Sequence, residues 1–351
     1  MKKVLIVDDS ALMRRQLSAM LTQTGSFEVR TARNGSEAVA ENLRFEPDVI
    51  TLDINMPEMD GMTALSLIMT QRPVPVVMVS SLTEQGALAT FEALNLGAVD
   101  YVTKPGGTIS LSLAQVRDEL VRKVNAALRA RLRLPGGRPG RERPPPAPRP
   151  VSRVLTPAAE RDGLLLIGVS TGGPRTLEDI LPLLPADYPY PVLVAQHMPA
   201  AFTRTFADRL NGLCALEVVE ASSPMPVEVG RIYIAKGGAD MVLTERAGRL
   251  TVLSKPENPD YLWHPSVTLL ARSALALLPA SQLTAVMLTG MGDDGADAFA
   301  DIRRQGGRTI AESEASAVVF GMPGELIARN GASMVLPAER IAAQLGLWAR
   351  R

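Results

Sequence analysis

Cysteine occurs once in these 351 residues, at Cys214, and histidine only twice, at His197 and His264. A single cysteine excludes an intramolecular disulfide framework and suits a reducing compartment. An excess of either charge is missing as well, because 37 basic residues balance 37 acidic ones. The total therefore predicts no long-range attraction to nucleic acid or to an anionic membrane. No run approaches the roughly 20 apolar residues of a membrane helix. The opening "MKKVLIVDDS" sets only four apolar residues between two lysines and an acidic pair, too few for a signal-peptide core. The expectation is a cytoplasmic protein with no nucleic-acid binding and no membrane insertion, whose partners must be argued from sites.

The length suits two domains of ordinary size. The segment "RLRLPGGRPGRERPPPAPRPVSR" (131–153) is nearly all Arg, Pro and Gly. It cannot build a core, and its prolines and mutually repelling arginines read as a semi-rigid linker. Before it, short apolar runs alternate with amphipathic ones. Strands are predicted at 3–7, 27–31, 48–52, 75–79 and 99–102, with helices at 11–22, 35–44, from 62, across 85–95 and from about 112. Five such units imply a doubly wound parallel sheet, since parallel strands need crossover helices. After the linker the α/β pattern restarts, with strands at 164–169, 191–197 and 284–290, a hairpin over 241–253 turning at Ala247-Gly248, and a helix from 294.

Ligands of parallel sheets sit at the carboxyl ends of strands. In the first half those ends carry Asp8 and Asp9, Asp53, Ser80 and, just past the fifth strand, Lys104. Clustered carboxylates repel unless a cation lies among them, and an all-oxygen set suits Mg2+. A lysine and a hydroxyl beside it can neutralise and hydrogen-bond a phosphoryl group. Asp53 is then the phosphate acceptor.

In the second half "GVSTG" (168–172) fits both a nucleophile elbow and a glycine-rich phosphate cradle. By itself the motif leaves Ser170 open between the two. A serine nucleophile needs a base, usually an imidazole oriented by a carboxylate. His197 ends a predicted strand and would reach the same rim as Ser170, whereas His264 precedes a proline and a predicted helix start at Ser266. "LTGMGDDGADA" (288–298) offers Asp293 and Asp294 between glycines, with backbone N–H groups able to form an oxyanion hole. The plain alternative is that Asp294 caps a helix and Asp293 is a solvated turn residue.

Two resemblances sharpen these readings. "VDD" (7–9), "LDINMP" (52–57), "VSS" (79–81) and "VDYVTKP" (99–105) resemble a two-component receiver domain. That resemblance implies phosphorylation of Asp53, with Asp8, Asp9, Asp53 and the Asn55 carbonyl around Mg2+. It makes Ser80 and Lys104 the phosphoryl contacts and Tyr101 the switch aromatic. "IGVSTGGP" (167–174), "QHMP" (196–199), "FADRLN" (206–211), "LTGMGDDG" (288–295) and "VVFGMP" (318–323) resemble the CheB methylesterase family. The implied domains are a receiver over 1–128, a linker over 129–160 and an α/β methylesterase domain over 161–351.

The family resemblance implies Ser170 as nucleophile, His197 as base, Asp294 as its orienting acid, and Met291 N–H with the Thr171 hydroxyl as oxyanion donors, with no cofactor at the esterase site. It implies hydrolysis of glutamate methyl esters, and deamidation of glutamines, on chemoreceptors. It also implies a chemotaxis-type histidine kinase as phosphodonor, and phosphorylation that uncovers an active site closed by the receiver. An esterase for small molecules, or an output domain that only binds, are the alternatives.

Some positions depart from the family pattern. Leu262 and Trp263 stand for polar residues, Thr268 for an acid, Lys236 for a proline and Asp240 for a histidine. These departures are expected along the approach to the active site, where they would bear on receptor choice. Asp293, in place of an asparagine, is expected to raise a neighbouring pKa.

Overall fold

Apolar runs too short for stable helices become the strands of two parallel sheets in this computed structural model, which describes residues 1–81, 83–104, 113–132, 153–154 and 163–349. The chain divides into two compact units, Met1–Arg141 and Glu142–Arg351. Most of the predicted linker lies outside the described residues.

The first unit runs β1 (Lys2–Val7), α1 (Ala11–Thr22), β2 (Phe27–Ala32), α2 (Gly35–Arg44), β3 (Val49–Asp53), α3 (Gly61–Gln71), β4 (Val76–Ser80), α4 (Glu84–Leu96), β5 (Asp100–Thr103) and α5 (Leu113–Ala127). The strands pair in parallel in the order β2-β1-β3-β4-β5. Local chemistry starts the first four helices. The side chains of Ser10, Asn34, Asp60 and Thr83 accept from the N–H groups of Met13, Glu37, Thr63 and Gly86, satisfying donors a helix start leaves free. The connection direction reverses between β1 and β3, which opens a crevice at their carboxyl ends. Asp8, Asp9 and Asp53 stand there.

One glycine is dictated by that crevice. A Cβ on Gly61 would lie 2.0 Å from the carbonyl oxygen of Asp53, so the start of α3 must be bare to pack on the strand end. Gly61→Ala is expected to destabilise this unit by about 1–3 kcal/mol, read as a lower denaturant midpoint; an unchanged midpoint would contradict the close packing.

The second unit comprises β6 (Arg153–Val154), β7 (Leu164–Val169), α6 (Gly173–Ile180), β8 (Val192–Gln196), α7 (Ala200–Asn211), β9 (Glu217–Ala221), β10 (Met225–Pro226), β11 (Glu228–Val229), β12 (Arg231–Ala235), β13 (Asp240–Arg246), β14 (Arg249–Lys255), α8 (Val267–Leu275), β15 (Leu283–Met287), α9 (Ala296–Arg304), β16 (Arg308–Glu312), α10 (Met322–Ala328), β17 (Met334–Leu336) and α11 (Ala338–Ala349). Seven strands form a parallel sheet in the order β17-β16-β15-β7-β8-β12-β9. β7 is central, every one of its residues buried, so the loops after β8 and β15 flank the loop after β7.

The predicted hairpin is β13–β14, turning at Ala247 and Gly248, both with positive φ, and β10 adds a third antiparallel strand. β6, inside the segment read as linker, pairs antiparallel with β11.

Several boundaries differ from the sequence reading, two of them near Asp294. The strand predicted to reach residue 290 stops at Met287, because the Thr289 N–H turns to the Glu312 carboxylate and the Gly290 N–H to the Val319 carbonyl. The helix predicted from 294 begins at Ala296, with Gly295 (φ 85°) as its cap.

Candidate active site

At the crevice of the first unit the three acids gather. Carboxylate oxygens of Asp8, Asp9 and Asp53 lie within 4.8 Å of one another. Lys104 Nζ reaches Asp53 Oδ2 at 2.8 Å and Asp8 Oδ2 at 3.1 Å. Burial, joined by the charge of Asp8, pushes the Asp53 carboxyl up against the hydrogen bond and charge of Lys104. Burial works against the Lys104 charge too, but the two acids outweigh it and hold that ammonium above its ordinary range. Three close carboxylates, one of them exposed, form an all-oxygen set open to solvent, which suits a hard divalent cation such as Mg2+.

Ser10 caps α1, while Asp8 Oδ1 accepts the Ser10 N–H. Ser80 ends β4 with its hydroxyl donated to the Gly86 carbonyl at 3.2 Å. Tyr101 is buried under the Lys123 ammonium, 4.5 Å from its ring centroid. Burial, then the charges of Asp100 and Glu119, raises its phenol well above the ordinary range. Asn55 is exposed just past Asp53. Sequence reasoning missed Arg14, whose guanidinium donates to the carbonyls of Asp8 and Asp9 at 2.8 and 2.9 Å; its place one turn into α1, after two acids, was the available signal.

In the second unit, register brings Ser170 and His197 side by side. Val169 pairs with Gln196 across β7 and β8, so the next residues on these parallel strands are Ser170 and His197, and the His197 N–H still bonds to the Val169 carbonyl at 3.1 Å. The Ser170 N–H is held by the Thr289 carbonyl at 2.9 Å. Its carbonyl accepts from the Gln196 side-chain amide at 3.0 Å, and the same amide bonds to the His197 carbonyl. Gln196 is thus a clamp between the two loops. The backbone is packed as tightly: a Cβ on Gly290 would lie 2.7 Å from Ser170 Cβ.

His197 Nε2 meets Asp294 Oδ2 at 3.0 Å, both side chains nearly buried. The ring's other nitrogen, Nδ1, is buried and has no hydrogen-bond partner among the described residues. Donation from Nε2 to an ionised Asp294 would leave the Nδ1 lone pair free. Burial alone would push the Asp294 carboxyl up, but the hydrogen bond and charge of His197, then Thr268 and the Val267 N–H, hold it below the usual range.

Those extra donors belong to the start of α8. Asp294 accepts from the N–H of Val267 (2.7 Å) and Thr268 (3.0 Å) and from the hydroxyls of Thr268 (2.7 Å) and Ser266 (3.2 Å). An ionised carboxylate on a helix N-terminus is favoured by the exposed N–H groups and the helix dipole. α8 comes this close because Val267 packs on Gly168 and Gly295, where a Cβ would meet it at 2.5 and 2.3 Å. Asp294 therefore caps a helix remote in sequence, not the one that follows it.

Asp293 is half exposed and pairs with Arg329 at 3.4 Å. The expected upward shift of its neighbour is absent, since Asp294 is held low by hydrogen-bond donors. Thr268 does not line an approach: it sits under Asp294, also accepting the Gly295 N–H at 2.8 Å. Thr171 is buried, its carbonyl fixed by the Thr289 hydroxyl at 2.8 Å. Met291 follows the tightly packed Gly290, and its N–H has no acceptor among the described residues. The support from Gln196, Thr289 and α8 was not read from sequence. Only Ser266, a capping residue ahead of an apolar run, signalled the start of α8.

A model of the CheB methylesterase family matches residues 165–345, and a response regulator receiver domain model matches residues 4–114. The chain is 58% identical to a protein-glutamate methylesterase/protein-glutamine glutaminase of Rhodospirillum rubrum, over 100% of this chain and 97% of that protein. It is 48% identical to a protein of the same description from Rhodopseudomonas palustris, over 99% and 98% of the two chains. The crystal structure of the Thermotoga maritima CheB methylesterase catalytic domain aligns with a TM-score of 0.51 at 38% identity, covering 52% of this chain and 97% of that one.

Proposed function

This chain belongs to the CheB methylesterase family, with a response regulator receiver domain joined to the esterase domain, and from that premise we propose that Ser170, His197 and Asp294 carry its chemistry. The chain is a protein-glutamate methylesterase and protein-glutamine glutaminase under the control of its receiver domain. Its substrates are glutamate methyl esters and glutamine side chains of chemoreceptors. The bond between His197 Nε2 and Asp294 Oδ2 at 3.0 Å, beside Ser170, supports this assignment more than any other observation.

The Ser170 hydroxyl attacks the γ-carbonyl carbon as its proton passes to His197 Nδ1. Asp294 keeps the other nitrogen protonated and stabilises the imidazolium. The developing oxyanion takes hydrogen bonds from the Met291 N–H and the Thr171 hydroxyl. His197 then returns the proton to methoxide, releasing methanol, or to the amide nitrogen, releasing ammonia. A water deprotonated by the same nitrogen adds to the acyl-serine, and collapse frees the glutamate and restores Ser170.

Residues 1–128 form the receiver, 129–160 the linker and 161–351 the esterase domain. Asp8, Asp9 and Asp53, with the Asn55 carbonyl, would hold a Mg2+ ion, which when bound would neutralise charge on the phosphoryl oxygens. A chemotaxis-type histidine kinase supplies the phosphoryl group to an Asp53 carboxylate oxygen. Lys104 then exchanges its carboxylate partner for the phosphoryl oxygens, Ser80 turns its hydroxyl from Gly86 towards them, and Tyr101 reports the change.

Carrying an equilibrium from 1:99 to 99:1 takes about 5.5 kcal/mol, so one phosphoryl group is expected to activate partially over a basal rate. Asp53→Ala is expected to abolish stimulation by a phosphodonor and leave basal esterase activity intact. An Asp53→Ala protein stimulated like its parent would remove Asp53 as the acceptor.

The direct test is methanol release from methylated receptor fragments by the full-length chain, with and without phosphodonor. Turnover of soluble esters with none of receptors would mark a small-molecule esterase. A Ser170→Ala protein with full cellular function would mark a binding module.

A further inference from the structure

Asp240, at the start of β13, is buried and has no part in the chemistry above. Its carboxylate accepts from His264 Nδ1 at 3.0 Å, from the Ser266 N–H at 2.9 Å and from the Asn258 N–H at 3.0 Å. All three donors belong to the segment 256–266, which joins β14 to α8 without regular structure. One buried acid thus pins the whole connection.

Two residues of that connection touch the catalytic groups. The Trp263 ring lies parallel to the His197 imidazole, 1° between planes and 5.8 Å between centroids. It also rests on Gly292, where a Cβ would meet the indole at 2.6 Å. Ser266 gives its N–H to Asp240 and its hydroxyl to Asp294, which makes it a bridge between the two acids. Left to itself an irregular segment would move, and with it the flat wall beside His197 and the donors seated on Asp294.

We propose that Asp240 is a positioning residue for the esterase: by gripping His264, Ser266 and Asn258 it holds Trp263 alongside the His197 ring and the start of α8 on Asp294. The proposal rests on His197 and Asp294 being the base and its acid. Trp263 leaves the imidazole less room to rotate away from Ser170, and small displacements of a reacting group are costly. His264 serves here as a donor to Asp240 and not as a second base.

Trp263 also provides a signal that a purely structural role for Asp240 would not move. The chain has two tryptophans, so Trp348→Phe leaves Trp263 as the sole indole. A histidine ring stacked on an indole quenches its emission, so the emission of Trp263 reads its contact with His197. In the full-length Trp348→Phe chain, His197→Gln is expected to raise Trp263 emission.

Asp240→Asn, which keeps the shape but sets an amide against the donors, is expected to lower kcat about tenfold with KM changed less than about twofold, and to raise Trp263 emission towards that of His197→Gln. Trp263→Ala is expected to match that loss, and Trp263→Phe, which keeps a flat ring, to recover most of the rate.

The proposal is overturned by an Asp240→Asn protein with parental kcat and Trp263 emission, or by an emission that His197→Gln leaves unchanged. Should Asp240→Asn fail to fold, equal rates for Trp263→Ala and Trp263→Phe would overturn it instead. A His197→Gln enzyme with full activity would bring down the assignment of the base, whereas an inactive one beside a parental Asp240→Asn would remove the latch alone.

Discussion

Replacement of Ser170 by alanine is expected to lower kcat for methanol release by about 10⁶-fold, the scale on which loss of a serine nucleophile acts when base and nucleophile work as a unit. The thermal midpoint should stay where it is. Ser170 is anchored through its backbone, by the Thr289 carbonyl and the Gln196 amide, and both bonds survive loss of the hydroxyl. Receiver phosphorylation should proceed normally in the variant, because Asp53 lies in the other compact unit. Measuring methanol release together with phosphoryl uptake separates the two activities. A Ser170→Ala protein that released methanol at the parental rate would end the case for an acyl-serine.

The second large effect belongs to Asp294. An asparagine there can satisfy the donors of α8 or the imidazole, but not all of them: one carboxylate oxygen becomes an amide that faces N–H and O–H groups. The wrong imidazole tautomer is then favoured, and kcat is expected to fall about 10⁴-fold. Stability should fall as well, by about 1–3 kcal/mol for each buried donor left without an acceptor.

The pH dependence separates this role from a merely local one. In the folded chain the Asp294 carboxyl is held below its ordinary value. It therefore contributes stability above the unfolded pKa of about 4 and loses that contribution as pH falls through the lower folded value. The parent should lose stability in that acid window, and Asp294→Asn should lack that part of the loss. Acid unfolding curves of the two proteins check this; curves of the same shape would show that the carboxylate is not held by α8 as described.

Much of this was legible in one dimension. Buried parallel strands read as continuous apolar runs, and in a parallel sheet the residue that ends such a run stands on the ligand-binding rim. Asp8, Asp53, Ser170 and His197 could be found by that reasoning because each directly follows or ends a strand. Ser266 could be recognised as a helix start because capping is local. The hairpin turn at Ala247-Gly248 was equally local.

What escaped was a matter of packing across the fold. Asp294 reads from sequence as a cap for the helix beside it, yet it caps α8, which precedes it in the chain, because β15 lies next to β7 and carries the loop onto that helix start. Asp293 was expected to bear on the site, but its side chain turns to Arg329. Thr268 and Asp240 looked like substitutions along an approach; in the fold Thr268 is hydrogen-bonded to Asp294 and Asp240 to the connection that leads into α8.

The amino-acid sequence by itself determined the strands, the helix starts and the chemical groups at the rim, since these depend on hydrophobic period and on bonds spanning a few residues. Only the tertiary structure decided which loops meet: His197 and Asp294 are 97 residues apart in the chain, and their contact follows from the order of strands in the sheet and from glycines that let α8 approach. Periodicity is a property of neighbours along the chain, whereas the support of a buried carboxylate is a property of neighbours in space.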